Sequence, residues 1–170
     1  MASSSIRILV VDDYERWRLF VLQSLQRERE IKVVGQASDG LEAVQQAQEL
    51  QPDVILLDIG LPMLNGIEAA LRIRAVSPYS RVLFVSENGS VGTVEAAMNT
   101  GAGGFVRKSD AVSELLTAIR EVHAGKQFLS ASLNLSPLWS VTRQSWLTDE
   151  NKPCRVGPGN FTPSRSQIRT

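Results

Sequence analysis

Residues 54–62 read VILLDIGLP, an unbroken apolar run that stops at Asp58 and passes into a turn containing Gly60 and Pro62. A short apolar run without alternation is typical of a strand that is covered on both faces. The same arrangement occurs near the N-terminus, where residues 6–13 read IRILVVDD. Such strands are found mainly in parallel sheets flanked by helices, so the two stretches favour an α/β fold.

The remaining sequence alternates between strand and helix patterns. Further strands are predicted over 31–34, 81–85 and 105–106, and helices over 14–29, 41–50, 67–76, 91–98 and 111–124. The β-α order repeats five times, which predicts a doubly wound, five-stranded parallel sheet in the order 2-1-3-4-5. The last helix is expected to begin with a capping box, in which Ser109 or Asp110 is the cap and Glu114 lies near the third helical position.

Composition indicates one domain over residues 6–127 and a tail over 128–170 that is mostly irregular or disordered. The tail is rich in serine and proline, and Trp139, Trp146 and Phe161 are its expected contact points. The net charge is zero, so strong unspecific attraction to nucleic acid or to acidic membranes is not expected. The N-terminus lacks a signal-peptide pattern, and no apolar run is long enough to cross a bilayer. We therefore expect a cytoplasmic protein without a membrane segment.

Polar side chains follow the predicted strands at their carboxyl ends, which is where open α/β sheets bind ligands. They are Asp12, Asp13, Asp58, Ser86 and Lys108. Three carboxylates close together repel one another, and a hard cation such as Mg²⁺ relieves that repulsion. A carboxylate of this kind can act as a nucleophile toward phosphorus, with Lys108 and Ser86 holding the other phosphoryl oxygens.

Four motifs stand in order along the chain: ILVVDD over 8–13, VILLDIGLP over 54–62, VLFVS over 82–86 and GGFVRKS over 103–109. Together they resemble the receiver domain of two-component response regulators, the CheY-like type with a flavodoxin-like fold. Pro62 and Gly66 follow Asp58 at the spacing of that family, and Phe105 stands where receivers carry an aromatic switch residue. The resemblance covers residues 6–127.

The resemblance implies that Asp58 is the phosphoacceptor and that a sensor histidine kinase is the donor. It implies that Asp13 and Asp58 bind Mg²⁺ directly, Asp12 through water, and Gly60 through its backbone carbonyl. Ser86, Lys108 and Phe105 would respond to the phosphoryl group. The same resemblance implies a homodimer through the face of the fourth helix, fifth strand and fifth helix. Beyond self-catalysed phosphoryl transfer and aspartyl-phosphate hydrolysis, no enzyme activity is expected.

The chain departs from the family in two places. Glu87 follows Ser86, where many receivers have a small residue, and a carboxylate there could repel the phosphoryl donor. Receivers with an ending like residues 101–119 usually continue into a helix-turn-helix domain, whereas the residues after Phe128 are too few and lack the helical pattern. DNA binding by this chain is therefore not expected.

Two other functions remain open at this point. A phosphatase could use Asp58 as its nucleophile, although the chain has no insertion long enough to form a cap over a substrate. A constitutive protein-interaction module with a degenerate or slow phosphorylation site is the second alternative.

Overall fold

The computed structural model of the chain describes residues 5–133. The expected contact points of the tail, Trp139, Trp146 and Phe161, lie outside the described residues. Among residues 5–133, no helix combines the length and the apolar character needed to cross a bilayer.

The centre of the domain is a six-stranded parallel sheet in the order β2-β1-β3-β4-β5-β6. The predicted order 2-1-3-4-5 is confirmed within it. The strands are β1 (Ile6–Val11), β2 (Ile31–Ala37), β3 (Val54–Leu57), β4 (Arg81–Ser86), β5 (Gly104–Arg107) and β6 (Phe128–Leu129). Strand β6 was not predicted, since its residues fall in the tail that was expected to be mostly irregular.

Five helices connect the strands: α1 (Glu15–Leu25), α2 (Gly40–Leu50), α3 (Gly66–Val76), α4 (Val91–Met98) and α5 (Ala111–His123). Their bounds agree with the predicted ones to within one residue, except that α1 ends four residues before the predicted Arg29. Strand β2 also runs further than predicted, because it pairs with β1 as far as the partners Val11 and Ala37. Residues 35–37 (GQA) have the composition of a loop. They are nevertheless part of β2, because they pair with the buried strand β1.

The core on one side of the sheet is formed by α1 and α5. Val21 and Leu25 of α1 and Leu115, Ile119 and Val122 of α5 are buried there against alternate side chains of β1, β3, β4 and β5. The other side chains of these strands point to the opposite face, where α2, α3 and α4 bury small residues such as Ala43, Ala69 and Ala97. Because helices cover both faces, the central strands are apolar throughout, as the sequence predicted.

The predicted capping box of α5 is wrong. Asp110 occupies the cap position, but its carboxylate makes no capping hydrogen bond. It accepts hydrogen bonds from the hydroxyls of Ser109 and Ser132 instead. Glu114 accepts from Ser130 Oγ at 2.6 Å and from the backbone N–H of Ala131 at 3.2 Å. Both acids therefore bind a segment that follows α5 in the chain.

That segment, residues 128–133, is here called the edge segment. Its backbone runs along β5, with Ser130 N donating to Phe105 O at 3.0 Å. Ser130 is 3% exposed, and its hydroxyl accepts from Arg107 N at 3.0 Å while donating to Glu114. Leu133 is also buried. The edge segment is therefore integrated into the domain through β5 and α5.

We expect Ser130→Ala to lower the free energy of unfolding by about 1–2 kcal/mol, because it leaves the N–H of Arg107 and the Glu114 carboxylate without their buried partner. Urea denaturation of the full chain measures this change. Ser109→Ala is the matched control, since it removes an exposed serine hydroxyl that bonds only to Asp110. An equal loss in both variants would contradict the assigned role of Ser130.

Candidate functional site

Strand register brings Asp12 and Asp58 side by side. Val11 is the partner of Leu57 in the β1–β3 ladder, so the next residue of each strand lies at the same level. The backbone N–H of Asp58 donates to Val11 O at 3.0 Å. Both strands end here, and their terminal carboxylates therefore share the carboxyl edge of the sheet.

Asp13 completes a group of three carboxylates. One oxygen each of Asp12, Asp13 and Asp58 lies within 4.8 Å of the others. Asp12 and Asp58 are buried, whereas Asp13 is exposed. Asp12 Oδ2 is buried and has no hydrogen-bond partner in the part of the chain that the structure describes. Hard oxygen donors and an excess of negative charge fit a divalent cation such as Mg²⁺.

Lys108 supplies a cation to the same group. Its Nζ lies 2.6 Å from Asp12 Oδ2 and 3.6 Å from Asp58 Oδ1. The shorter of these two contacts is a close ion pair, so Lys108 is the ionic partner of Asp12 Oδ2. The Lys108 side chain is 9% exposed, so it reaches the carboxylates through the interior at the end of β5. One ammonium group leaves three carboxylates with a net negative charge.

Burial raises the pKa of the Asp58 carboxyl above its ordinary value of 3.8. The positive charge of Lys108 lowers this pKa, and the negative charge of Asp12 raises it again. The backbone N–H groups of Ile59 and Gly60 also favour the ionised form, the latter at 3.1 Å from Asp58 Oδ2. Removal from water is the largest of these effects, so the ionised carboxylate is only partly stabilised.

The turn after Asp58 requires glycine at position 66. A Cβ atom on Gly66 would lie 2.0 Å from the carbonyl oxygen of Asp58. The N–H of Gly66 donates to Ile59 O at 2.9 Å, and Asn65 caps α3 through the N–H of Glu68 at 3.0 Å. Helix α3 thus begins directly against the backbone of Asp58, which fixes the position of that residue.

Ser86 and Phe105 lie on neighbouring strands beside this group. Ser86 ends β4 and is 5% exposed, and its Oγ accepts from Asn88 N at 3.3 Å. Phe105 is fully buried on β5, opposite Phe84. The structure places Asp12, Asp13, Asp58 and Lys108 in one group, with Ser86 at the same sheet edge and Phe105 in the interior. The roles of these residues stay predictions.

Comparison with known proteins decides the family. The model of the response regulator receiver domain matches residues 8–120, which is more than half of the chain. The chain belongs to the response regulator receiver family. The fold and the order of its motifs agree with that assignment.

Several relatives of this receiver domain are known. It is 38% identical over 126 residues to the transcriptional activator protein ExaE of Pseudomonas putida, covering 74% of this chain and 59% of ExaE. It is 47% identical over 111 residues to the protein-glutamate methylesterase/protein-glutamine glutaminase of Thermotoga maritima, covering 64% of this chain and 32% of that protein. The chain therefore spans less than two thirds of the length of these relatives.

A solved structure gives the same result for the fold. The signal receiver domain of the putative response regulator NarL from Mycobacterium tuberculosis is 31% identical, with a TM-score of 0.69, covering 72% of this chain and 99% of that one. Receiver domains are in general not enzymes in themselves. Membership of the receiver family assigns this domain to two-component signalling.

Sequence reasoning missed two residues that contact the site of this receiver domain. Arg18 NH1 donates to the backbone carbonyl of Asp12 at 2.7 Å. The ring of Trp17 lies 5.3 Å from Lys108 Nζ, measured to its centroid. The helical pattern assigned Trp17 to the apolar face of α1. Its position only four residues after Asp13 in the chain was the signal that could have placed it near the site.

We expect Asp58→Asn to raise the free energy of unfolding of the receiver domain at pH 7 by about 1 kcal/mol in the presence of a chelator. The native pKa of Asp58 is raised, so the ionised carboxylate opposes folding at every pH above that pKa. As pH falls below 3.8, the carboxyl is protonated in both folded and unfolded chains, and the gain vanishes.

Urea denaturation at pH 7 and near pH 3.5 measures both parts of this expectation. Asp39→Asn is the control, because Asp39 caps α2 at the surface and asparagine caps equally well. A gain in the Asp58 variant that is independent of pH would contradict the explanation by charge burial.

Proposed function

We propose that this receiver domain accepts a phosphoryl group on Asp58 from a sensor histidine kinase, in a Mg²⁺-dependent step, and that the modified form changes its binding to a partner. The observation that carries the proposal is the buried Asp58 carboxylate, which lies 3.6 Å from Lys108 Nζ and within 4.8 Å of two further carboxylates. A nucleophile, a cation and an acidic metal-binding group thus meet at one point.

In this step an Asp58 oxygen attacks phosphorus, the bond from phosphorus to the donor histidine nitrogen breaks, and the imidazole keeps the electron pair and takes up a proton. Asp12, Asp13 and Asp58, with the Gly60 carbonyl, would hold Mg²⁺, which neutralises negative charge on the phosphoryl oxygens. Lys108 would turn from Asp12 toward a phosphoryl oxygen, since the distances to Asp12 and Asp58 differ by only one ångström. Ser86 would donate its hydroxyl to another.

The proposed switch follows from the added charge. A phosphoryl group on Asp58 carries about two negative charges and needs hydrogen-bond donors that the unmodified carboxylate does not need. Ser86 pairs with Arg107 across β4 and β5, and Phe105 lies two residues before Arg107. Movement of Ser86 would therefore be transmitted to β5 and to the face formed by α4, β5 and α5. The proposed homodimer uses this face, where β6 covers the outer edge of β5.

The proposed setting is the cytoplasm, with a protein partner as the output. The relatives named above include a transcriptional activator and an enzyme, and their aligned regions are only 59% and 32% of their lengths. Those activities belong to the relatives. The proposal for this chain is limited to the receiver.

A constitutive interaction module is the second candidate, and Glu87 is the observation that favours it. Glu87 is exposed and directly follows Ser86, at the entrance that a phosphoryl donor has to use. Its negative charge repels an anionic donor by an amount that depends on ionic strength.

Incubation with acetyl phosphate and Mg²⁺, followed by intact-mass spectrometry, tests the proposed function. We expect one phosphoryl adduct that requires Mg²⁺ and is absent in Asp58→Ala. The control Asp39→Asn should form the adduct to the same extent as the unmodified chain. Absence of any adduct, together with no effect of Mg²⁺ on stability, would favour the constitutive module.

We expect Glu87→Ala to accelerate phosphorylation by acetyl phosphate by about twofold to fivefold at low ionic strength, because it removes a like charge at the entrance. Added salt should reduce the difference between the variant and the unmodified chain. Phosphorylation rates at two salt concentrations measure the effect. Equal rates at low salt would mean that Glu87 does not hinder the donor.

A further inference from the structure

The indole ring of Trp17 covers the ammonium group of Lys108. Lys108 Nζ lies 5.3 Å from the ring centroid, within the distance of about 6 Å at which a cation is attracted to an aromatic face. Tryptophan provides the strongest attraction of the aromatic side chains. Lys108 is thus contacted by Trp17 in addition to the two carboxylates.

The position of Trp17 is fixed by its surroundings. Trp17 lies in the first turn of α1, half-buried against the hydrophobic core. The ring of Phe20 packs on it, with centroids 5.1 Å apart and planes inclined by 38°. The indole is therefore held by its helix and by Phe20 in addition to its contact with Lys108.

Lysine carries a long side chain with many rotamers, and restricting it to one of them has an entropic cost. The ion pairs with Asp12 and Asp58 are formed by the same atoms that a metal ion and a phosphoryl group would engage. The contact with Trp17 involves the ring face and the ammonium group, and it uses none of the carboxylate oxygens. It can therefore persist while the carboxylates exchange partners.

We propose that Trp17 is a positioning residue for Lys108, which keeps the ammonium group within reach of Asp58 before and after the phosphoryl group arrives. This inference rests on the proposed function of Asp58. Trp17 contacts Lys108 and acts through it, so its substitution should change the conformation of Lys108 as well as the rate of phosphorylation.

Nuclear magnetic resonance of the full chain in a chelator tests the contact without Mg²⁺ or phosphoryl donor. The ε-methylene protons of Lys108 should resonate upfield of an ordinary lysine, because they lie near the ring face. The signal is assigned by its loss in Lys108→Met. Trp17→Leu should return the shift to the ordinary position, and Trp17→Phe should retain part of it.

Phosphorylation rates with acetyl phosphate and Mg²⁺ test the consequence. We expect Trp17→Leu to be slower than the unmodified chain by about threefold to tenfold, with Trp17→Phe in between. Leu19→Ala on the same helix is the control, because Leu19 is 49% exposed and should leave both the shift and the rate unchanged.

Urea denaturation of each variant separates positioning from folding. A loss of stability in Trp17→Leu with an unchanged Lys108 shift, or with an unchanged rate, would overturn the inference and leave Trp17 as a packing residue. Failure of the unmodified chain to form an adduct would overturn the proposed function instead. In that case the Lys108 shift still decides whether Trp17 holds Lys108.

Discussion

The ion pair of Lys108 with two buried carboxylates is the interaction on which the arrangement of the site depends. Asp12 and Asp58 are brought together by parallel pairing of β1 and β3, and neither could be buried in an ionised state without a nearby cation. Lys108 reaches them only because β5 is separated from β3 by a single strand. The strand order therefore determines which charged side chains meet at the carboxyl edge of the sheet.

One ammonium group does not balance three carboxylates, and this imbalance gives the site its chemical character. Asp12 and Asp58 are buried and share the single ammonium group of Lys108, while Asp13 is exposed beside them. A site arranged in this way is ready to take up positive charge, and afterwards to share it with an incoming anion. The close packing of Gly66 against the backbone of Asp58 fixes the position of this carboxylate.

The sheet and the acidic group were predictable from local sequence patterns. Each pattern identifies a strand, and the geometry of a parallel sheet then fixes where the strand ends lie. Continuous apolar runs marked β1 and β3, and parallel strands have to end at the same edge, so Asp12 and Asp58 had to meet. The edge segment was not predictable in this way. Ser130 and Leu133 belong to a stretch that is too short for a periodic pattern, and Asp110 and Glu114 satisfied a local capping rule equally well.

Trp17 shows the same limit at the site itself. Its spacing along α1 fits the core-facing stripe of an amphipathic helix, and it does pack against the core. That a ring on this stripe also covers Lys108 depends on how α1 and β5 are placed in space. Sequence periodicity identifies the buried face of a helix. It does not identify which charged group from another element contacts an aromatic ring on that face.

The edge segment also determines where the chain leaves the domain. Leu133 packs against Gly89, where an added Cβ would lie 2.8 Å from Leu133 Cδ2 and 2.9 Å from Arg107 Cδ. Gly89 belongs to the loop that follows Ser86, so the exit point and the site share one loop. Leu133, the last residue that the structure describes, is therefore packed against this loop. A displacement of this loop would therefore also displace Leu133.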